Sequence, residues 1–168
     1  IALAMESAAA QNNNPRAIGI EMENITNLVD EQAEVEGWDA ATKELALKEQ
    51  ISSMHAGVIL SRLQTDPQGA QDYFQSEDVD LTEKHRVELE KTIRPKLTLA
   101  EAQGVADQAE RKFDTMTEAT AWVRENYEGD VEKQAVSDIK TRYTERDTEL
   151  ARVDRELVRS ASSKINQA

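Results

Sequence analysis

Apolar residues recur along this chain at helical rather than strand spacing, and the pattern restarts at a few polar or proline-bearing breaks. Residues 1–14 are alanine-rich and then polar, and the Asn run before Pro15 predicts a flexible lead-in. Asn14 is placed to cap a helix with Pro15 in its first turn. Ile18, Met22, Ile25, Leu28, Val29 and Val35 then keep helical spacing up to Gly37, a thin stripe that needs a partner surface. Asp39 predicts the cap of a second helix, over about residues 40–64, with Leu45, Leu47, Ile51, Met54, Val58, Ile59 and Leu63 on its apolar face.

The chain is organised around the elbow that follows. Asp66 is positioned to cap and Pro67 to take the first helical position of a short helix carrying Ala70, Tyr73 and Phe74. Residues 76–80 read as a polar linker, after which Thr82 caps a long helix with Val87, Leu89, Ile93, Leu97 and Leu99. Pro95 lies inside that pattern and predicts a kink or break near Ile93-Arg94. Helical spacing then continues to Phe113, and Thr115 with Glu118 has capping-box spacing for a helix carrying Ala119, Trp122 and Val123.

Asp130 is read as the cap of the last helix, whose seam residues Ile139, Tyr143, Arg146, Leu150, Val153 and Leu157 alternate steps of four and three. Apolar positions continue to Ile165. A heptad-like seam on a helix of roughly 35 residues, about 50 Å long, is too long to be covered by short helices alone. Its partner is either another long helix, in this chain or in a second one, or the helix over 82–113. Tyr143, Leu150, Val153, Leu157 and Ile165 are therefore the candidate interface. Asp66, Pro67, Ala70, Tyr73, Phe74 and Trp122 are the candidate elbow and core residues.

Composition agrees with this helical reading. Of 168 residues, 39% are hydrophobic but only 4% aromatic, and Gly and Pro are scarce, a mix that favours an all-α fold. The expected architecture is an array of helical hairpins with a long C-terminal helix. Its expected divisions are a flexible segment over 1–14, a hairpin domain over 15–129 and the terminal helix over 130–168. The net charge of −13 repels nucleic-acid phosphates and anionic lipid, so no direct nucleic-acid binding is expected. No apolar run approaches the roughly 20 residues of a membrane span. The absence of cysteine excludes disulfides, thiol catalysis and cysteine zinc sites. The chain starts at Ile1 and stops in a helical pattern, so it reads as a piece of a longer protein or a processed product.

Catalytic signatures are weak. Glu6-Ser7 has the residue pair that carries the acid in lytic transglycosylases, but the motif that continues it and an aromatic substrate groove are missing. His55 and His85 stand singly in helices, without metal-ligand spacing around them. Trp38 and Trp122 read as core or interface, and no calcium loop or phosphate-cradling glycine loop occurs. Lys140, Arg142, Arg146, Arg152, Arg155 and Arg159 alternate with acidic residues, which suggests interhelical pairing rather than DNA contact. No catalytic, metal or cofactor residue is assigned and no enzymatic activity is expected.

The elbow Leu63-Gln64-Thr65-Asp66-Pro67-Gln68-Gly69-Ala70-Gln71-Asp72-Tyr73-Phe74 is similar to a pattern in the large internal, or ejection, proteins of tailed bacteriophages. So are Leu89-Glu90, the run Met116-Thr117-Glu118-Ala119 through Trp122-Val123-Arg124, Val136, Ile139 and Arg142-Tyr143-Thr144-Glu145-Arg146. The resemblance covers roughly residues 37–150 and consists of helix-packing residues. Many members of that family carry a lytic transglycosylase domain elsewhere in the chain. The resemblance implies a structural segment of a virion protein, packaged in the capsid interior and delivered toward the host envelope with the genome. It would act by self-association and by contact with other virion proteins. A cytoplasmic helical adaptor that binds a partner helix is the alternative, and a peptidoglycan-cleaving enzyme using Glu6 is a third reading.

Overall fold

The computed structural model describes residues 1–165, with side chains through residue 159. The chain is all-α: α1 Ala2–Ala10, α2 Pro15–Glu36, α3 Ala40–Arg62, α4 Pro67–Phe74, α5 Glu83–Lys112, α6 Met116–Asn126 and α7 Gly129–Ile165, with no strand among the described residues. Four helix starts are set by a side-chain oxygen that accepts from its own first turn. Asn14 takes the Ala17 amide at 3.2 Å, Asp39 the Thr42 amide at 2.8 Å and Asp66 the Gly69 amide at 2.9 Å. Thr115 accepts from the Glu118 amide at 3.3 Å and donates its hydroxyl to the Glu118 carboxylate at 2.7 Å, closing the expected capping box. At the other end of α2, Gly37 takes the left-handed conformation at φ 68°, which ends the helix without the penalty a Cβ would incur.

The chain divides into two units, Ile1–Leu97 and Thr98–Ala168. In the first, Ala4 and Ala8 of α1 pack with Ile18, Ile25 and Val29 of α2 and Met54 and Val58 of α3. The flexible lead-in expected over 1–14 is thus corrected to a docked helix. Small alanines let α1 approach closely, and α1 supplies the surface that the thin stripe of α2 requires. Two residues expected on apolar faces, Val35 and Leu45, instead project into solvent at 86% and 71% exposure. A second cluster in this unit joins Ala56 and Ile59 of α3 and Leu63 just past its end to Ala70 and Phe74 of α4 and to Leu89 and Ile93 of α5. The linker before α5 is less polar in effect than in sequence, because Val79 and Leu81 are buried in that cluster.

In the second unit, Ala102, Val105, Ala106 and Ala109 of α5 meet Ala119 and Val123 of α6 and Ala135, Val136, Ile139 and Tyr143 of α7. The domain boundary expected at residue 129 is corrected accordingly. The first four turns of α7 are core to the second unit, so α7 is not a separate element. Asp130, expected as the cap of α7, lies within its first turn instead.

Of the kink or break expected at Pro95, the break does not occur: α5 runs through it from Glu83 to Lys112. Its missing N–H leaves the Lys91 carbonyl without a helical partner, but both residues are exposed and solvent can take that carbonyl. Buried Leu89 and Ile93 hold the preceding turns in place.

Candidate functional site

The elbow is a packing device built from the expected residues. Asp66 caps α4 and Pro67 starts it. A Cβ at residue 69 would collide with the capping carboxylate of Asp66, so any larger residue there displaces the cap. Ala70 and Phe74 are buried against α3, and the Arg86 guanidinium lies over the Phe74 ring at 5.5 Å. Tyr73 is half-buried, with its hydroxyl 2.9 Å from His55 Nδ1 and the Arg62 guanidinium 4.2 Å above its ring. Arg62 also donates to the Asn12 carbonyl at 2.6 Å, and Asn12 donates to Ser61 at 2.7 Å. The turn after α1 is therefore tied to the end of α3.

His55 is 2% exposed, and its Nε2 has no hydrogen-bond partner. Burial pushes its pKa below the usual imidazole value, against the opposing influence of Asp80. Burial likewise raises the Tyr73 phenol, opposed by Arg62.

One turn earlier on α3, Ser52 Oγ accepts from the Thr82 amide at 2.8 Å and lies 2.7 Å from His85 Nδ1. Thr82 Oγ1 is 3.2 Å from the same ring nitrogen, and His85 Nε2 is 3.9 Å from a Glu49 carboxylate oxygen. A serine, a histidine and a carboxylate are the residue types of a nucleophilic triad. Here Ser52 is fully buried and its oxygen is occupied by a helix-start amide, so the group fastens the start of α5 to α3 and has no path to a substrate. Sequence reasoning missed this polar tie. The available signal was Ser52 and His55 set three residues apart on the apolar face of α3, among Ile51, Met54, Val58 and Ile59. Glu6 stands exposed on α1.

Along α7 the seam changes character. Ile139 and Tyr143 are buried within the second unit, so Tyr143 is corrected from interface to core. Arg142 is held by Asp107 and, at 3.2 Å, by Glu110. Arg146 donates to the Asp114 carbonyl at 2.8 Å and lies 4.3 Å over the Tyr143 ring. From residue 147 to residue 159 every side chain is exposed. Leu150, Val153 and Leu157, at 58%, 39% and 62% exposure, form a stripe that nothing among the described residues covers. The side chain of Ile165 lies outside the described residues. Trp122 is core-like, 6.0 Å from the Phe113 ring and 5.8 Å from the Tyr127 ring. No helix of the described residues is long and apolar enough to cross a membrane.

No protein family, no curated protein and no solved structure matches this chain.

Proposed function

We propose that the chain is a structural segment of a bacteriophage internal virion protein and that the distal half of α7 is its assembly element. The observation that carries this reading is the uncovered stripe Leu150, Val153 and Leu157, continuing at heptad spacing a seam whose first residues are buried. Burying three such side chains is worth about 1.5–3 kcal/mol each, so an uncovered seam favours a helix that covers it. The setting comes from the elbow and helix-packing resemblance to phage ejection proteins. The covering helix belongs either to a second copy, as the seam spacing suggests, or to another virion component. The same stripe would serve a helical adaptor in the cytoplasm. An adaptor would stay monomeric when alone.

The test is solution mass by light scattering over a concentration series, with and without residues 147–168. An oligomer lost on truncation supports self-assembly through α7. An oligomer that survives truncation refutes α7 as the assembly element. A monomer in both forms leaves only pairing with a different chain.

A further inference from the structure

We propose that the partner of this stripe is a helix of a different protein, with lysine or arginine on both flanks of its apolar seam, and not a second copy of this chain. The inference rests on the assembly reading above and identifies the partner chemically.

With Leu150 and Leu157 as the a positions and Val153 as the d position, Asp147 and Asp154 occupy e and Glu149 and Glu156 occupy g. Both flanks are acidic along the whole exposed stripe. The basic residues lie elsewhere: Arg155 is at f, and Arg152 and Arg159 are at c, behind the flank. Arg152 is already engaged, donating to Glu149 at 2.6 and 2.9 Å and to Glu156 at 2.7 Å. Arg146, the seam residue nearest the stripe, bonds the Asp114 carbonyl, lies over the Tyr143 ring and reaches Asp147 only at 3.9 Å. One guanidinium therefore serves two carboxylates on the g flank, Asp147 has one distant arginine, and Asp154 has no basic partner among the described residues.

Pairing two copies brings like charges together in either orientation. In a parallel pair, g faces e of the opposite helix, setting Glu149 against Asp154. In an antiparallel pair, e faces e and g faces g, setting Asp147 against Asp154 and Glu149 against Glu156. Each copy also carries a net charge of −13, so approach is opposed at long range as well. A helix with cationic flanks meets all four carboxylates favourably and still covers the leucines, so like-charge repulsion excludes the wrong partner as much as attraction selects the right one.

The test uses two synthetic helical peptides of equal length with leucine at every seam position, one with lysine and one with glutamate on both flanks. Each is titrated by fluorescence anisotropy against the full chain near physiological salt. The lysine peptide is expected to bind at least about tenfold more tightly than the glutamate peptide, with affinity falling as salt rises. Changing Leu150, Val153 and Leu157 to alanine, which preserves helix propensity, should abolish that binding. The fourfold variant Asp147→Lys, Glu149→Lys, Asp154→Lys and Glu156→Lys should reverse the preference to the glutamate peptide.

Equal binding of the two peptides, or an unchanged preference in the fourfold variant, would overturn the proposal. So would lysine-peptide binding that survives the alanine changes, which would show general attraction to an acidic surface. A stripe-dependent dimer of the chain alone would overturn the partner assignment and leave the assembly reading intact. No binding of either peptide by a monomeric chain would defeat both.

Discussion

Tyr143 on α7 donates its hydroxyl to the Phe113 carbonyl at 2.5 Å, just past the end of α5. The last carbonyls of a helix have no partner within it, and here α7 supplies one. Arg146 does the same for the Asp114 carbonyl, one residue further along. These contacts mark where α7 stops being core and starts being surface.

Tyr143→Phe is expected to cost about 0.5–1.5 kcal/mol, the worth of one such hydrogen bond. Urea unfolding followed by Trp122 fluorescence, in a Trp38→Phe background, reads the second unit alone. Burial raises the Tyr143 phenol above its ordinary value, opposed by Arg146. Its contribution to stability is complete below the unfolded phenol value of about 10 and is lost as pH rises through the higher folded value. The alkaline loss should be smaller in Tyr143→Phe. An identical alkaline slope in both proteins would contradict this role.

His55 titrates with the opposite consequence. Its folded pKa is depressed by burial, so the unfolded chain takes up the proton first as pH falls. Stability is complete above about pH 6.5 and declines below it, down through the folded value. Thermal melting of the first unit, followed by Trp38 in a Trp122→Phe background, should show that decline between neutral pH and about pH 5.5. His55→Leu should flatten it while losing the Tyr73 bond. A slope unchanged by the substitution would assign it to other groups.

Ser52→Ala removes the partner of the Thr82 amide and the nearer of the two hydroxyls at His85 Nδ1. A loss of about 1–3 kcal/mol is expected, because the part-buried Thr82 amide is left unpaired. Hydrogen exchange at the Thr82 amide should accelerate in parallel. Unchanged exchange there would show that the serine does not hold the start of α5.

The two halves of the α7 seam should respond differently to the same kind of change. Ile139→Ala, in the core, should cost about 2–5 kcal/mol. Alanine at Leu150, Val153 and Leu157 together should leave the stability of the isolated chain within about 0.5 kcal/mol per site. Denaturation curves of dilute protein decide this, and a large loss from the distal changes would mean that the stripe is already covered within the chain.

Helix content, helix starts and the elbow were legible in the order of residues. Asn14, Asp39, Asp66 and Thr115 act within three residues of themselves, and Pro67 and Gly37 set their own backbone angles. Such local chemistry needs no knowledge of the rest of the chain. Helical spacing also placed Ile25 and Ile59 on apolar faces and Ile139 on the seam of the last helix, because a repeat near 3.6 residues gathers apolar residues on one side. The acidic flanks of α7 were written in the same heptad.

Tertiary structure decided which apolar face was covered and by what. The alanines of α1 look like an unstructured lead-in until α2 and α3 bring their own surfaces to them. Val35 and Leu45 fit the spacing of a buried face yet remain in solvent, since spacing sets direction along a helix but not the reach of a neighbour. Pro95 was read as a kink or a break, and because Lys91 is exposed, solvent can take its carbonyl while the helix continues. Tyr143 and Leu150 occupy the same position in successive heptads. The first is buried because α5 and α6 extend far enough to meet it, and the second is bare because they end. Ser52 and His55 are polar residues on the apolar face of α3, and only packing against α4 and the start of α5 gives them partners. Long-range contacts of this kind depend on where two distant segments meet, which no local pattern encodes.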